Sequence, residues 1–172
     1  MAVIYTSREE IEVHRFSLVV TVAVPLLAIF MQSFVPLRVR FFEVFDLPLL
    51  VTVFFALARR SPVTGLLTGA IIGLVQDGLT HQPIGLYGIA KTLIGFSASS
   101  IGVRIDVENP GSRLLMVAVF YIVHQAVYFV VATVIIDLNL QWRWLHTIGA
   151  ALANGLLAVV LFAILDRLKQ RA

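Results

Sequence analysis

Residues 145–165 read LHTIGAALANGLLAVVLFAIL, a run without a single lysine, arginine, aspartate or glutamate. A transmembrane helix needs about 20 consecutive and mostly apolar residues, and five similar runs precede this one in the chain. The sequence therefore predicts an all-α polytopic integral membrane bundle of about six transmembrane helices. The predicted spans are 16–37, 47–58, 63–79, 84–103, 114–136 and 145–165. Asn109-Pro110-Gly111 predicts a turn before the fifth span.

The composition leaves little room outside the bilayer. The chain has 172 residues, of which 59% are hydrophobic and 13% are charged, whereas soluble domains carry about 25% charged residues. Six spans of about 20 residues use about 120 positions, so the remainder supplies only short loops and termini. We expect one transmembrane domain that covers residues 1–172.

Several functional classes are excluded by what the sequence lacks. Its basic residues stand at the ends of apolar runs and form no stripe, which argues against nucleic-acid binding. The absence of cysteine excludes disulfides, thiol catalysis and thiolate metal sites. The sequence has no phosphate loop, HExxH or GxSxG motif, and His81 and His146 are isolated. We therefore expect no enzyme, no catalytic residue, no cofactor and no metal.

The distribution of lysine and arginine predicts the orientation. Nine lie at the same end of the predicted bundle as the N-terminus: Arg8, Arg15, Arg59, Arg60, Arg104, Arg113, Arg167, Lys169 and Arg171. Only Arg38, Arg40 and Arg143 lie at the opposite end. Because positive charge accumulates on the cytoplasmic side, both termini should be cytoplasmic. Trp142 and Trp144 should then lie in the outer interfacial belt.

The third span carries glycine at every fourth position, at Gly65, Gly69 and Gly73. Residues spaced by four lie on one helix face, and glycine there lets another backbone approach closely. The stripe predicts a helix-packing surface, against either a helix of this chain or one of a partner.

Five polar residues are expected to form a buried cluster: Asp77, Lys91, His124, Gln125 and Asn154. Polar groups at membrane depth usually face the bundle interior, where they are paired or functional. The cluster has three interpretations: hydrogen-bonded helix packing, a small-molecule or lipid-headgroup pocket, or a proton relay. The turn near His81 predicts that Asp77 and Lys91 face each other. In the competing arrangement Lys91 bonds Gln125 and Asn154, and Asp77 is exposed.

Four stretches between Leu47 and Lys91 carry a family resemblance: LPLLV at 47–51, ALARR at 56–60, GAIIGLVQD at 69–77 and PIGLYGIAK at 83–91. They resemble the rod shape-determining protein MreD, a small bacterial inner-membrane family. Members often carry an acidic residue directly after the proline of span two, whereas here Leu49 follows Pro48 and Asp46 precedes it.

The resemblance implies a non-enzymatic subunit of the cell-elongation (rod) complex in the bacterial inner membrane, which scaffolds or regulates peptidoglycan synthesis. Its implied partners are an MreC-like bitopic protein, MreB, a SEDS glycosyltransferase and a class B penicillin-binding protein. The family is also similar in fold to the substrate-binding subunits of energy-coupling-factor vitamin transporters. The alternative function is therefore vitamin capture for such a transporter.

Overall fold

The computed structural model describes residues 16–102 and 109–168, which are all helices and connecting turns without any strand. The α-helices are α1 (Leu18–Phe34), α2 (Leu47–Arg59), α3 (Pro62–Leu79), α4 (Leu86–Ile101), α5 (Pro110–Val130) and α6 (Trp144–Asp166). The predicted all-α membrane bundle is confirmed. Ser7 and Glu10, which fit a capping box and predict a short helix before the first span, lie outside the described residues.

Within 16–102 and 109–168, five segments are long and apolar enough to cross a membrane. They are Leu18–Leu37, Arg40–Arg59, Pro62–Leu79, Pro110–Ile135 and Trp144–Asp166. Helix α4 has 16 residues, which rise only about 24 Å and fall short of the roughly 30 Å hydrocarbon core. The bundle therefore has five long spans and one shorter helix.

Local sequence explains where two spans begin. A 3-10 helix, Arg40–Val44, precedes α2 and lengthens the second span to the 20 residues Arg40–Arg59. Helix α5 begins at Pro110 because Asn109 accepts the Gly111 N–H at 2.8 Å and caps it. Of the predicted turn at residues 109–111, Asn109 lies before the helix as its cap, whereas Pro110 and Gly111 form the first helical turn, where proline is also favoured.

Helix α2 is the centre of the bundle. Every residue from Leu47 to Ala58 is buried, and α2 contacts each of the other five helices. Its Phe54 packs on Phe162 of α6, with ring centroids 5.3 Å apart. The outer faces of the bundle are also apolar: Leu18 in α1 and Leu145 in α6 are 82% and 89% exposed. Such surfaces suit lipid, since soluble monomers rarely expose large apolar patches.

Candidate functional site

Lys91 of α4 is fully buried and forms an ion pair with Asp46. Its ammonium donates to Asp46 Oδ2 at 2.8 Å and to Oδ1 at 3.1 Å. Asp46 also caps α2, because its Oδ1 accepts the Leu49 N–H at 3.0 Å. One carboxylate therefore begins α2 and holds it against α4.

The predicted pairing of Lys91 with Asp77 is wrong. Asp77 lies one helical turn before the α3–α4 connection, where its carboxylate meets the free amides at the start of α4. It accepts the N–H groups of Gly85, Tyr87 and Gly88 at 2.8, 2.9 and 3.1 Å. The first amides of a helix have no partner within the helix and carry its positive dipole end. Asp77 therefore satisfies the first backbone amides of α4. Lys91 lies more than one helical turn further along α4 and donates to Asp46.

The competing arrangement is also wrong. Asp77 is 0% exposed, and the Lys91 ammonium bonds neither Gln125 nor Asn154 among the contacts of the described residues. Gln125 is half-buried, and its amide donates to the Tyr121 hydroxyl at 2.9 Å, one turn away on α5.

His124 of α5 is the third member of the charge cluster, which we define as Asp46, Lys91 and His124. Its Nε2 lies 3.3 Å from the Lys91 ammonium and 3.9 Å from Asp46 Oδ2. An ammonium has no lone pair, so a hydrogen bond between the two groups requires Nε2 to accept and the ring proton to lie on Nδ1. Within the described residues, Nδ1 is buried without a hydrogen-bond partner. The Tyr87 ring, 4.8 Å from the Lys91 ammonium, covers the cluster.

Asn154 attaches α6 to the same place through the backbone. Its side-chain oxygen accepts the Asp46 N–H at 2.9 Å, and its amide donates to the carbonyls of Val44 and Ala150, each at 2.8 Å. Together, Asp46, Lys91, His124 and Asn154 join the start of α2 to α4, α5 and α6.

Asp46 is the residue that sequence reasoning missed. Two signals pointed to it: an aspartate immediately before Leu47-Pro48 is a typical helix N-cap, and a lysine inside a span needs a counter-charge. The ion pair joins positions 45 residues apart, and such a pairing depends on how the helices are arranged.

The glycine stripe of α3 packs against α4. A Cβ at Gly65 would collide with the Gly95 carbonyl oxygen, one at Gly69 with that of Lys91, and one at Gly73 with that of Tyr87. All three obstacles are backbone atoms, which side-chain rearrangement cannot move away. Of the two possibilities left open by the sequence, the structure places a helix of the same chain against the stripe.

The charge cluster is closed to solvent. Lys91 and His124 are 0% exposed and Asp46 is 7% exposed, and each contacts another member. Among the described residues, no group of three His, Asp or Glu side chains is placed to hold a metal ion. The contacts of the charge cluster connect α2, α4 and α5. Such contacts are expected in lipid, where packing and hydrogen bonds hold a helix bundle together.

The chain matches the family model described as rod shape-determining protein MreD over residues 14–171. It belongs to this family. Nothing matches among the curated proteins or among the solved structures. Because the MreD match covers nearly the whole chain, this is a rod shape-determining protein of the membrane, with several spans and a role in cell shape.

Proposed function

We propose that this MreD-family chain is a non-enzymatic subunit of the cell-elongation complex in the bacterial inner membrane, where it scaffolds or regulates peptidoglycan synthesis. The observation that carries the proposal is the family match over residues 14–171. The closed charge cluster supports the proposal, because the polar groups of Asp46, Lys91 and Asn154 form hydrogen bonds that connect helices. A bundle whose helices are joined in this way suits a scaffold.

The proposed partners are an MreC-like bitopic protein, MreB, a SEDS glycosyltransferase and a class B penicillin-binding protein. Exposed apolar faces support a role for membrane helices among them. Val22 and Ile71, on α1 and α3, are 51% and 62% exposed and line one apolar groove. In lipid, helices associate through packing along such surfaces.

Depletion of the protein in its native host tests the function. We expect rods to round into spheres, and we expect the parent gene, but not an empty vector, to restore rods. Affinity purification of the tagged chain should recover a bitopic membrane protein. A vitamin requirement on depletion, together with recovery of an ATPase module, would instead identify a vitamin-capture subunit and contradict the proposal.

Both termini are proposed to be cytoplasmic, on the nine-to-three asymmetry of lysine and arginine. Fusions of alkaline phosphatase and of green fluorescent protein after Arg15, at His81 and at the C-terminus measure this. Phosphatase activity is expected at His81 alone, and fluorescence at the other two positions. Phosphatase activity at the C-terminus would reject the orientation.

A further inference from the structure

A second polar region lies between α5 and α6, at the end of the bundle that carries the α5–α6 connection. It is a cavity of about 210 Å³, lined by ten residues of the described part of the chain. Its polar side chains are those of Tyr121, Gln125, Tyr128, Gln141, Arg143 and His146, besides Trp142 and Thr147. Tyr121 is buried, Gln125 and Tyr128 are half-buried, and Arg143 and His146 are exposed. The cavity therefore deepens from Arg143 towards Tyr121.

The lining favours an anion. Among the described residues that line the cavity, Arg143 is the one permanently charged side chain and none is acidic. Within the described residues, Arg143 forms no ion pair, so its guanidinium has no competing carboxylate. The indole N–H of Trp142 is buried and has no hydrogen-bond partner in the described part of the chain. A buried donor left unsatisfied costs about 1–3 kcal/mol, and a ligand with several acceptor oxygens would suit this set of donors.

Part of the cavity wall is aromatic. Trp142 packs edge-on against Phe129, with ring centroids 5.2 Å apart, and against Trp144 at 5.3 Å. Tyr128 packs at 5.0 Å on Tyr87, the ring that covers the charge cluster.

The size and position of the cavity restrict the class of ligand that fits it. Pockets for drug-sized molecules measure about 300–1,000 Å³, so this smaller cavity suits a single polar group. Tryptophans such as Trp142 and Trp144 are typical of the membrane–water interface, which is the depth of lipid phosphates. Arginine is the side chain that binds phosphate with two parallel hydrogen bonds.

We propose that the cavity between α5 and α6 binds a phosphate group, with Arg143 as its principal ligand and the tyrosines, Gln125 and Trp142 as further donors. The phosphate belongs either to a lipid headgroup or to a soluble phosphate compound. This site goes beyond the scaffold function and does not depend on it. With both termini in the cytoplasm, as proposed above, the site would lie at the outer leaflet, and this placement alone rests on the proposed orientation.

Tryptophan fluorescence tests the site directly, because Trp142 lines the cavity, Trp144 contacts Trp142, and the chain has no other tryptophan. The full chain in detergent micelles is titrated with dihexanoyl phosphatidic acid, with inorganic phosphate and with dihexanoylglycerol, which lacks the phosphate. We expect phosphatidic acid to change the emission saturably and dihexanoylglycerol to leave it unchanged. Saturation by inorganic phosphate at the same concentration assigns the site to soluble phosphates, whereas tighter binding of phosphatidic acid assigns it to a headgroup.

Two variants of equal charge complete the test. Arg143→Gln should weaken phosphatidic acid binding at least tenfold, because it removes a charge-assisted hydrogen-bond donor. Arg38→Gln removes an arginine from the α1–α2 connection, which is exposed and does not line the cavity, and should leave binding unchanged. Equal affinity in all three proteins, or an equal response to dihexanoylglycerol, would overturn the proposal.

Discussion

Replacing Lys91 with methionine should destabilise the bundle by about 3–5 kcal/mol, the usual cost of removing one partner of a buried ion pair. Methionine keeps an unbranched side chain of similar length, but the Asp46 carboxylate would lose both bonds from the ammonium. Among the described residues, the remaining hydrogen-bond donor to this carboxylate would be the Leu49 N–H. The His124 ring would also lose the donor that faces its Nε2. Unfolding of the purified protein in mixed micelles measures the loss.

The double variant distinguishes a true pair from two separate costs. Asp46→Asn keeps a side-chain oxygen that can cap α2 but removes the charge that neutralises Lys91. We expect Asp46→Asn with Lys91→Met to cost less than the sum of the single variants, with a coupling of about 0.5–3 kcal/mol. The cycle of Asp77→Asn with Lys91→Met is the control, and its coupling should be smaller. Strict additivity of the Asp46 cycle would show that the two charges do not meet.

The helices were largely predictable from the sequence because each is specified by its own residues. Apolar runs of membrane length predict the spans. In the structure Ser61, which the sequence places in a tight turn of residues 59–62, caps α3, and Pro62 begins the helix. The errors lie where a helix end depends on local hydrogen bonds. Asn109 starts α5 within a predicted turn. The second span is no such error: its apolar run is short unless it recruits Phe41–Phe45, and the 3-10 helix Arg40–Val44 lengthens it to Arg40–Arg59 in that way.

The partners of the charged residues were not predictable in the same way. Asp77 and Lys91 are joined by one hairpin, and local reasoning paired them, yet the amides of Gly85, Tyr87 and Gly88 reach Asp77 first. Asp46 lies in the site because it caps α2, which contacts each of the other five α-helices. No short-range sequence pattern reveals that arrangement. The sequence identified Lys91 and His124 as candidates for a cluster, but the choice of partner belongs to the tertiary arrangement.

Glycine spacing predicts that a helix packs closely on α3, but it does not predict which helix. The period of four at Gly65, Gly69 and Gly73 indicates a surface for close approach, but it does not name the neighbour. The answering helix carries Gly95, where a Cβ would collide with the Gly65 carbonyl oxygen. Helices α3 and α4 are consecutive and joined by a short turn. The backbone of α4 is therefore the nearest one, and it packs against the glycine stripe.

Leucine at Gly69 should therefore destabilise the bundle by more than the roughly 1–3 kcal/mol that is usual for overpacking. The new Cβ would meet the Lys91 carbonyl oxygen and lie 2.6 Å from its carbonyl carbon, so the clash is with backbone and α3 must move away from α4. That movement also shifts the residue whose ammonium holds Asp46.

Gly78→Leu is the matched control, since Gly78 belongs to the same helix and no atom of residues 16–102 or 109–168 lies within 4 Å of a Cβ placed there. Leucine is a better helix former than glycine by up to about 1 kcal/mol, so this control should be neutral or slightly stabilising. The difference between the two variants in the free energy of unfolding isolates the contact between backbones. If Gly69→Leu expresses and unfolds like Gly78→Leu, the stripe does not hold α3 against α4.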